Sequence, residues 1–345
     1  MTIKVLATGY TAQHIGSQRL LVKYGAVTDM FVDIMRRGGC EVDHRRVHPN
    51  DDISGYDLLF CGQIALGALG ASYCYGALDA IARARQNGLG LMFFLDDWQV
   101  NNISTSLRTL NKESGRIVRE SLSTARMDHQ WARDNVDRIF PVVEALLHRP
   151  WPITLVPKFS WGDGNSVVKG LNSREWVWTD VSAFAPDYGT PLAPDDERIA
   201  QWVCGTLSDQ REWIKKMGVK WHVEYLGSKK SKADRVLTEV ELCELYGKSW
   251  GVMAPKYPHA GSGWWRNRFI HSVRTRSIML ADPKEVRDIG ESFLIKPQEI
   301  EAMNIQQLRE VADAQRADFY SKETPVDQVI DTVMGAVRRA IAEVK

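Results

Sequence analysis

Three stretches of this sequence gather side chains that could act on a polar substrate. The first is LGLMFFLDDWQV, residues 89–100, where seven apolar or Gly residues from Leu89 to Leu95 run straight into Asp96, Asp97 and Trp98. A carboxylate beside an aromatic wall can take the proton of a hydroxyl as a general base. An Asp after a strand also serves to cap the next helix, and both roles fit this pair. The second is GTLSDQREW, residues 205–213, a short polar loop after a strand with Arg211 in the first turn of a helix. Backbone N–H groups and a guanidinium converging there suit a phosphate; a surface Arg on a capped helix is the plainer alternative. The third is GSGWWRNRFIHSVRTRSIMLAD, residues 261–282, with Arg266, Arg268, His271, Arg274 and Arg276 inside eleven residues. Arg268, His271 and Ser272 are three and four apart and share a helical face. Such runs are commonly solvated basic faces, but the Gly-rich loop ahead of this one favours an anion site.

Several familiar sites are absent from the sequence. The loop after the first strand, TGYTAQHIG at 8–16, lacks G-x-G-x-x-G, so a dinucleotide fingerprint is excluded. GKS at 247–249 has no Gly five residues upstream and follows a helix, so it is no P-loop. No HExxH, no paired Cys/His spacing and no G-x-S-x-G elbow occurs, and no metal ligands are assigned.

Composition sets the frame for these groups. The 345 residues are 44% hydrophobic and 25% charged, enough for two domains with real cores. The net charge of +1 excludes a protein held to nucleic acid by its global field and leaves room for a local basic cleft. No apolar run approaches a membrane span, and MTIKVLATGY reads as a first strand rather than a signal peptide. The five cysteines (Cys40, Cys61, Cys74, Cys204 and Cys243) are odd in number, without a CxxC pair, and read as reduced buried thiols of a cytoplasmic protein.

The elements that must position the three stretches alternate along the chain. Strands are expected at 3–7, around Val42, at 57–61 and 89–95, and in WPITLVPKF (151–159). A helix from Ala26 carries Val27, Met30, Phe31, Ile34 and Met35 on one face and closes at RRGG; another covers 71–86, and the polar segment 105–148 is mostly helical in pattern. The Pro- and Gly-rich stretch 176–197 is the expected domain boundary. A second series follows, with strands in AQWVCG, WHVEYLG, WGVMAPK and SIMLAD, a short one in SFLI, and helices at 211–217, in TEVELCELYGKS and at 265–275. The tail, 322–344, forms an amphipathic helix through Val326, Val329, Ile330, Val333, Met334, Val337 and Ile341. This rhythm predicts an α/β chain with parallel sheets flanked by helices. The expected units are 1–185, 186–321, and a last helix, 322–345, packed back on the first.

With these pieces placed, the chain resembles the DNA β-glucosyltransferases of T-even bacteriophages, which are GT-B enzymes. The likeness lies in ISGYDLLFCGQ with LGLMFFLDDWQV, in GTLSDQREW and in NRFIHSVRTRSIMLAD, in that order. It implies two Rossmann-like domains facing a central cleft, and transfer of a sugar from a UDP-sugar to a hydroxymethylated or otherwise hydroxyl-bearing pyrimidine in phage DNA. It puts Asp96 at the position of the general base in an inverting transfer, with Asp97 and Trp98 on the acceptor side. It puts Arg211 and Arg268 on the diphosphate, Val240 near the residue whose backbone meets the uracil, and Gly9, Gly205, Ser208, His271 and Ser272 along the nucleotide sugar. A divalent metal is compatible but not required for binding. The implied partners are the nucleotide sugar and double-stranded DNA with a modified base, for a monomer in a host cytoplasm without membrane attachment. Two departures stand out: His271 replaces a ribose-binding Glu, and Ser208 lies near the place of a phosphate Arg. The Asp region is also similar to that of the retaining α-glucosyltransferase of these phages. A GT-B transferase for a small molecule or glycan, and a non-catalytic nucleotide-binding module, are the alternatives.

Overall fold

The computed structural model describes residues 2–8, 26–45, 47–62, 72–94, 134–158, 172–185, 187, 189–205, 214–226, 237–254, 266–281 and 291–344. Short apolar runs with polar ends set the strands of a first sheet: β1 (Lys4–Thr8), β2 (Glu41–His44), β3 (Leu58–Gly62), β4 (Gly90–Phe94), β5 (Thr154–Lys158) and β6 (Trp176–Asp180). All pair in parallel, in the order β2-β1-β3-β4-β5-β6. Every residue of β3 is buried, as a strand covered on both faces must be.

Helix α1 (Ala26–Arg37) joins β1 to β2, α2 (Ser72–Ala84) joins β3 to β4, and α3 (Val136–His148) leads into β5. α1 buries Met30, Phe31, Ile34 and Met35 against Phe60 and Phe94, which stack at 4.5 Å. It ends on Arg36 and Arg37, cations favoured at a helix C-terminus, and Gly39 then takes a left-handed φ of 87°. α2 and α3 are joined through Asp79, which is fully buried and meets Arg83 at 2.7 Å, Arg138 at 2.8 Å and the Asn50 N–H at 2.9 Å. A carboxylate so far from water needs these three donors.

A second sheet contains β7 (Ile199–Gly205), β8 (His222–Leu226), β9 (Ser249–Ala254) and β10 (Ile278–Ala281), parallel and ordered β10-β9-β7-β8. Helix α4 (Glu239–Gly247) joins β8 to β9, and α5 (Arg266–Arg274) joins β9 to β10. Beyond β10 come α6 (Pro297–Glu301), α7 (Ile305–Ser321) and α8 (Val326–Ala342). α7 closes the β10 edge with one side chain. The carboxamide of Gln315, 2% exposed, accepts from Met279 N–H at 2.8 Å and donates to the Met279 and Ser292 carbonyls at 3.1 Å.

The last helix returns to the first sheet, where it lies against β4, β6 and α1. It buries Val329, Val333, Met334, Val337 and Ile341 of the expected stripe; Val326 stays 36% exposed. The approach to β4 is close enough that a Cβ at Gly90 would stand 2.6 Å from the Ala340 carbonyl oxygen.

Two expectations need correction. WVWTD (176–180), placed in the boundary stretch, is β6, the outer strand of the first sheet; alternate burial through Val177 and Thr179 marks it as a strand despite the prolines that follow. SFLI is no strand. Glu291–Phe293 form a 3₁₀ turn, because Gln315 already occupies the Met279 backbone groups that a further strand would pair with. Among the described cysteines, Cys40, Cys61, Cys204 and Cys243 are buried thiols outside any disulfide, and burial pushes the Cys40 thiol up. No helix among the described residues is long and apolar enough to cross a membrane.

The Gly90 contact yields a test of how the last helix is held. Gly90→Ala should lower stability by about 1–3 kcal/mol, the usual cost of overpacking, seen as a fall in Tm. Gly55→Ala, whose Cβ would meet nothing within 4 Å, should leave Tm near the wild-type value.

Candidate functional site

In both sheets the strand order reverses beside the first strand, and this fixes where a ligand can lie. β1 sends the chain to β2 on one side, and the next strand, β3, pairs on the other. β7 does the same with β8 and β9. Loops leaving the carboxyl ends of such neighbours part in opposite directions and open a crevice. The connections that follow these strands, 9–25 and 63–71 in the first sheet and 206–213 and 255–265 in the second, lie outside the described residues.

Several candidate residues of the sequence follow these strands in the chain or belong to the helices that leave their carboxyl edge. Gly9 directly follows β1 in the chain, and Asp96 to Trp98 follow β4 by two to four residues. Gly205 is the last residue of β7, paired with Leu226, and Ser208 and Arg211 come just after it. Arg268 is in the first turn of α5, which must start at this same edge because it connects two parallel strands. Gly9, Asp96, Asp97, Trp98, Ser208 and Arg211 lie outside the described residues.

Val240 sits in the first turn of α4, also at this edge, and is 44% exposed. Thr238 and Glu241 form a capping box there: Thr238 Oγ1 accepts from Glu241 N–H at 3.2 Å, and Glu241 Oε2 accepts from Thr238 N–H at 2.7 Å. That leaves the Val240 N–H without an intrahelical acceptor, as any second residue of a helix is. His271 and Ser272 belong to the inner face of α5, 4% and 0% exposed, beside Ile270 and Val273.

The arginine run divides into two groups. Arg274 donates to the Ala185 carbonyl at 2.6 Å and the Ser182 carbonyl at 3.4 Å, both beyond the end of the first sheet. Arg276 is held by Asp313 at 2.6 Å, and its own carbonyl accepts from Arg198 at 2.7 Å. These two guanidinium groups therefore tie the fold together, while Arg266 and Arg268 belong to the first turn of α5 and their side chains lie outside the described residues. Among the described residues no group of three or more His, Cys, Asp or Glu is placed to hold a metal ion.

Arg274 meets a second set of contacts at the place where the chain passes between the sheets. Asp180, the last residue of β6 and 5% exposed, accepts from Ser182 N–H at 3.0 Å and from Thr324 N–H at 2.9 Å. The first bond belongs to the outgoing passage and the second to the returning one. Glu323 lies beside them. Burial pushes its carboxyl up, the Asp180 charge adds to this, and Arg274 opposes it. Sequence reasoning did not find this group, since Asp180 and Thr324 are 144 residues apart and neither belongs to a motif.

No protein-family model matches the chain, and no curated protein matches it. Solved structures do. The structure of T4 phage β-glucosyltransferase with UDP and Mn²⁺ matches with a TM-score of 0.59 at 11% identity, over 98% of this chain and 99% of that one. A second T4 phage β-glucosyltransferase structure, solved for its substrate binding and catalytic mechanism, gives 0.57 at 10% identity over the same shares. The DNA-modifying β-glucosyltransferase solved with and without uridine diphosphoglucose gives 0.55 at 11%, again over 98% and 99%. The chain has the GT-B fold of these proteins, two parallel-sheet α/β domains.

The Glu323 environment makes stability depend on pH in a definite direction. A carboxyl raised above its ordinary 4.5 binds its proton more readily in the folded chain. Its contribution is therefore present at low pH and is lost as pH rises through the raised value. Glu323→Gln should melt above wild type at about pH 7.5 and together with it at about pH 4. An equal difference at both pH values would remove Glu323 ionisation as the cause.

Proposed function

We propose that this chain is a glycosyltransferase that moves a sugar from a UDP-sugar to a hydroxyl-bearing pyrimidine in DNA, with inversion. The observation that carries the reading is the fold likeness over 98% of the chain to proteins solved with UDP and uridine diphosphoglucose, one of them described as DNA-modifying. The order of the three sequence stretches supports it: the first runs on from β4, the second runs on from β7 and the third enters α5, and ligands of such folds bind beyond the carboxyl ends of parallel strands.

In this reading the uracil meets the backbone near Val240, and Gly9, Gly205 and Ser208 line the nucleotide sugar. His271 and Ser272, expected along the nucleotide sugar, are buried in the second turn of α5, so in this reading they act through the helix that carries Arg268 rather than by contact with the donor. Arg211 and Arg268 hold the diphosphate with guanidinium forks that match phosphate oxygens. Asp96 accepts the proton of the acceptor hydroxyl as that oxygen forms its bond to the anomeric carbon. The bond from that carbon to the diphosphate oxygen breaks, UDP leaves with the electron pair, and the two arginines meet the charge that develops on it. Asp97 alternates to the other side of the chain and caps the following turn, while Trp98 walls the sugar or base.

Arg211→Ala and Arg268→Ala should each weaken UDP binding by about 1.5–3 kcal/mol, the range for hydrogen bonds to charged groups, measured by calorimetry. Unchanged UDP affinity in both variants would remove the diphosphate site. Asp96→Asn should keep donor affinity and lose about 10²- to 10⁴-fold in turnover, measured with and without Mn²⁺ on hydroxymethylated duplex DNA. Asp97→Asn should mainly lower Tm. If the two variants exchange these behaviours, the base is Asp97.

The DNA acceptor has its own measurement. With Arg274 and Arg276 engaged inside the fold, phosphate contacts fall to Arg266, Arg268 and the basic stretch SKKSKADR (228–235). Duplex binding should weaken by about tenfold or more between low and moderate salt. Sugar transfer to a small phenol or glycan, with salt-independent or absent DNA binding, would replace DNA as the acceptor.

A further inference from the structure

The second sheet carries an open, shallow groove of about 770 Å³ at the amino ends of its strands, the end opposite the candidate donor site. Trp221, Trp250, Met303, Ile305 and Leu308 make its apolar walls, and Arg198, Glu301, Asn304 and Gln306 supply its polar groups. Its size falls in the range of small-molecule sites.

The aromatic wall is fixed before any ligand arrives. Glu301 accepts at 2.8 Å from the Trp202 indole N–H and from the Trp221 backbone N–H, and from Lys220 N–H as well. Trp202, fully buried, backs Trp221 with ring centres 5.4 Å apart. On the other wall the Arg198 guanidinium lies 4.4 Å over the Trp250 ring and donates to the Ser249 carbonyl at 2.6 Å and the Arg276 carbonyl at 2.7 Å. Rigid rings of this kind lose little freedom when something stacks on them.

The polar groups define what that something is. One cation and one carboxylate line the groove, so its charges cancel. Both terminal nitrogens of Arg198 are committed to carbonyl oxygens and offer little to a phosphate. The Asn304 oxygen accepts from Gln307 N–H at 3.0 Å, which leaves its NH₂ to donate; the Gln306 NH₂ donates to Glu310 at 2.9 Å, which leaves its oxygen to accept. An aromatic hydrocarbon would use the rings alone and leave the Asn304 NH₂ and the Gln306 oxygen to water. A pyranose ring matches them: its C–H face lies on an indole, and its hydroxyl rim both donates and accepts.

We propose that this groove binds a neutral saccharide, with Trp221 as the stacking surface and Asn304 and Gln306 as hydroxyl partners. The site is separate from the carboxyl edge of the sheet, so it stands whether or not the chain is a transferase.

Two-dimensional proton–nitrogen spectra of the full-length protein provide the test, since tryptophan indole signals are resolved from the backbone. Maltotriose, cellotriose and chitotriose, all neutral, are titrated with and without saturating UDP. For at least one of them the Trp221 indole signal, assigned with Trp221→Phe, should shift saturably, and UDP should not reverse the shift. Ile305→Arg alters a rim residue that is 46% exposed and should leave Tm unchanged while weakening the saccharide by about tenfold or more. Trp221→Phe should keep most of the affinity, and Trp221→Ala should lose it. Absence of a saturable shift with all three saccharides overturns the proposal. So do a shift that UDP abolishes, which would belong to the candidate donor site, and saturable binding of 1-naphthoate where no saccharide binds.

Discussion

Parallel pairing is the constraint on which this molecule depends. Among the described residues the ten strands all pair in parallel, so after each of them the chain has to return across the sheet before it can pair again. Each return collects the polar loops and the helix N-termini at one edge of the sheet. That is why a core strand as apolar as β4 can run into two adjacent acids. β4 ends on Phe93 and Phe94, both fully buried, and the acids come only after that end in the sequence. Polar and charged residues become tolerable at that point and nowhere earlier.

A chain built as two sheets has to pass between them, and α8 requires it to do so twice. The outgoing passage starts at Asp180 and the returning one ends at Thr324, and a single carboxylate takes an N–H from each. Arg274 adds a third tie, from the last residue of α5 to carbonyls of the outgoing passage. One packing contact and a few hydrogen bonds thus divide the labour. The Gly90–Ala340 approach seats the helix on β4, and the Asp180 group fixes the place where its connection enters.

Most of the fold was legible because its signals are local. The spacing of Met30, Phe31, Ile34 and Met35 predicts α1, and unbroken apolar runs predict β3, β4, β7 and β9; each of these elements is present. Errors arose where a local signal was overruled from a distance. The prolines and glycine after Asp180 hid β6, and the apolar run at 292–295 looks like a strand only while Gln315 is out of sight. The candidate site was less legible, for the same reason. Arg274 and Arg276 resemble Arg266 and Arg268 in sequence, and only their distant partners, Ser182, Ala185 and Asp313, tell them apart. Likewise nothing in the spacing of Trp202, Trp221 and Glu301 links residues that meet across as many as 99 positions.

This sorting of cations bears on the field that a chain with a net charge of +1 presents. Arg198 is buried among carbonyl oxygens, and burial lowers its pKa to about 10, with Asp195 opposing and Arg276 adding to the shift. Arg83 and Arg138 share Asp79, Arg276 takes Asp313, and Arg339 takes Glu175. Each such pair removes a positive charge from what a distant phosphate would feel. The formal charge therefore says little about the surface, and the field at any one edge is set by the few cations left without an internal acceptor. A cluster at the carboxyl edge of the second sheet then needs only a handful of arginines to be locally positive. It can do this while the molecule as a whole stays almost neutral and is not drawn to nucleic acid at large.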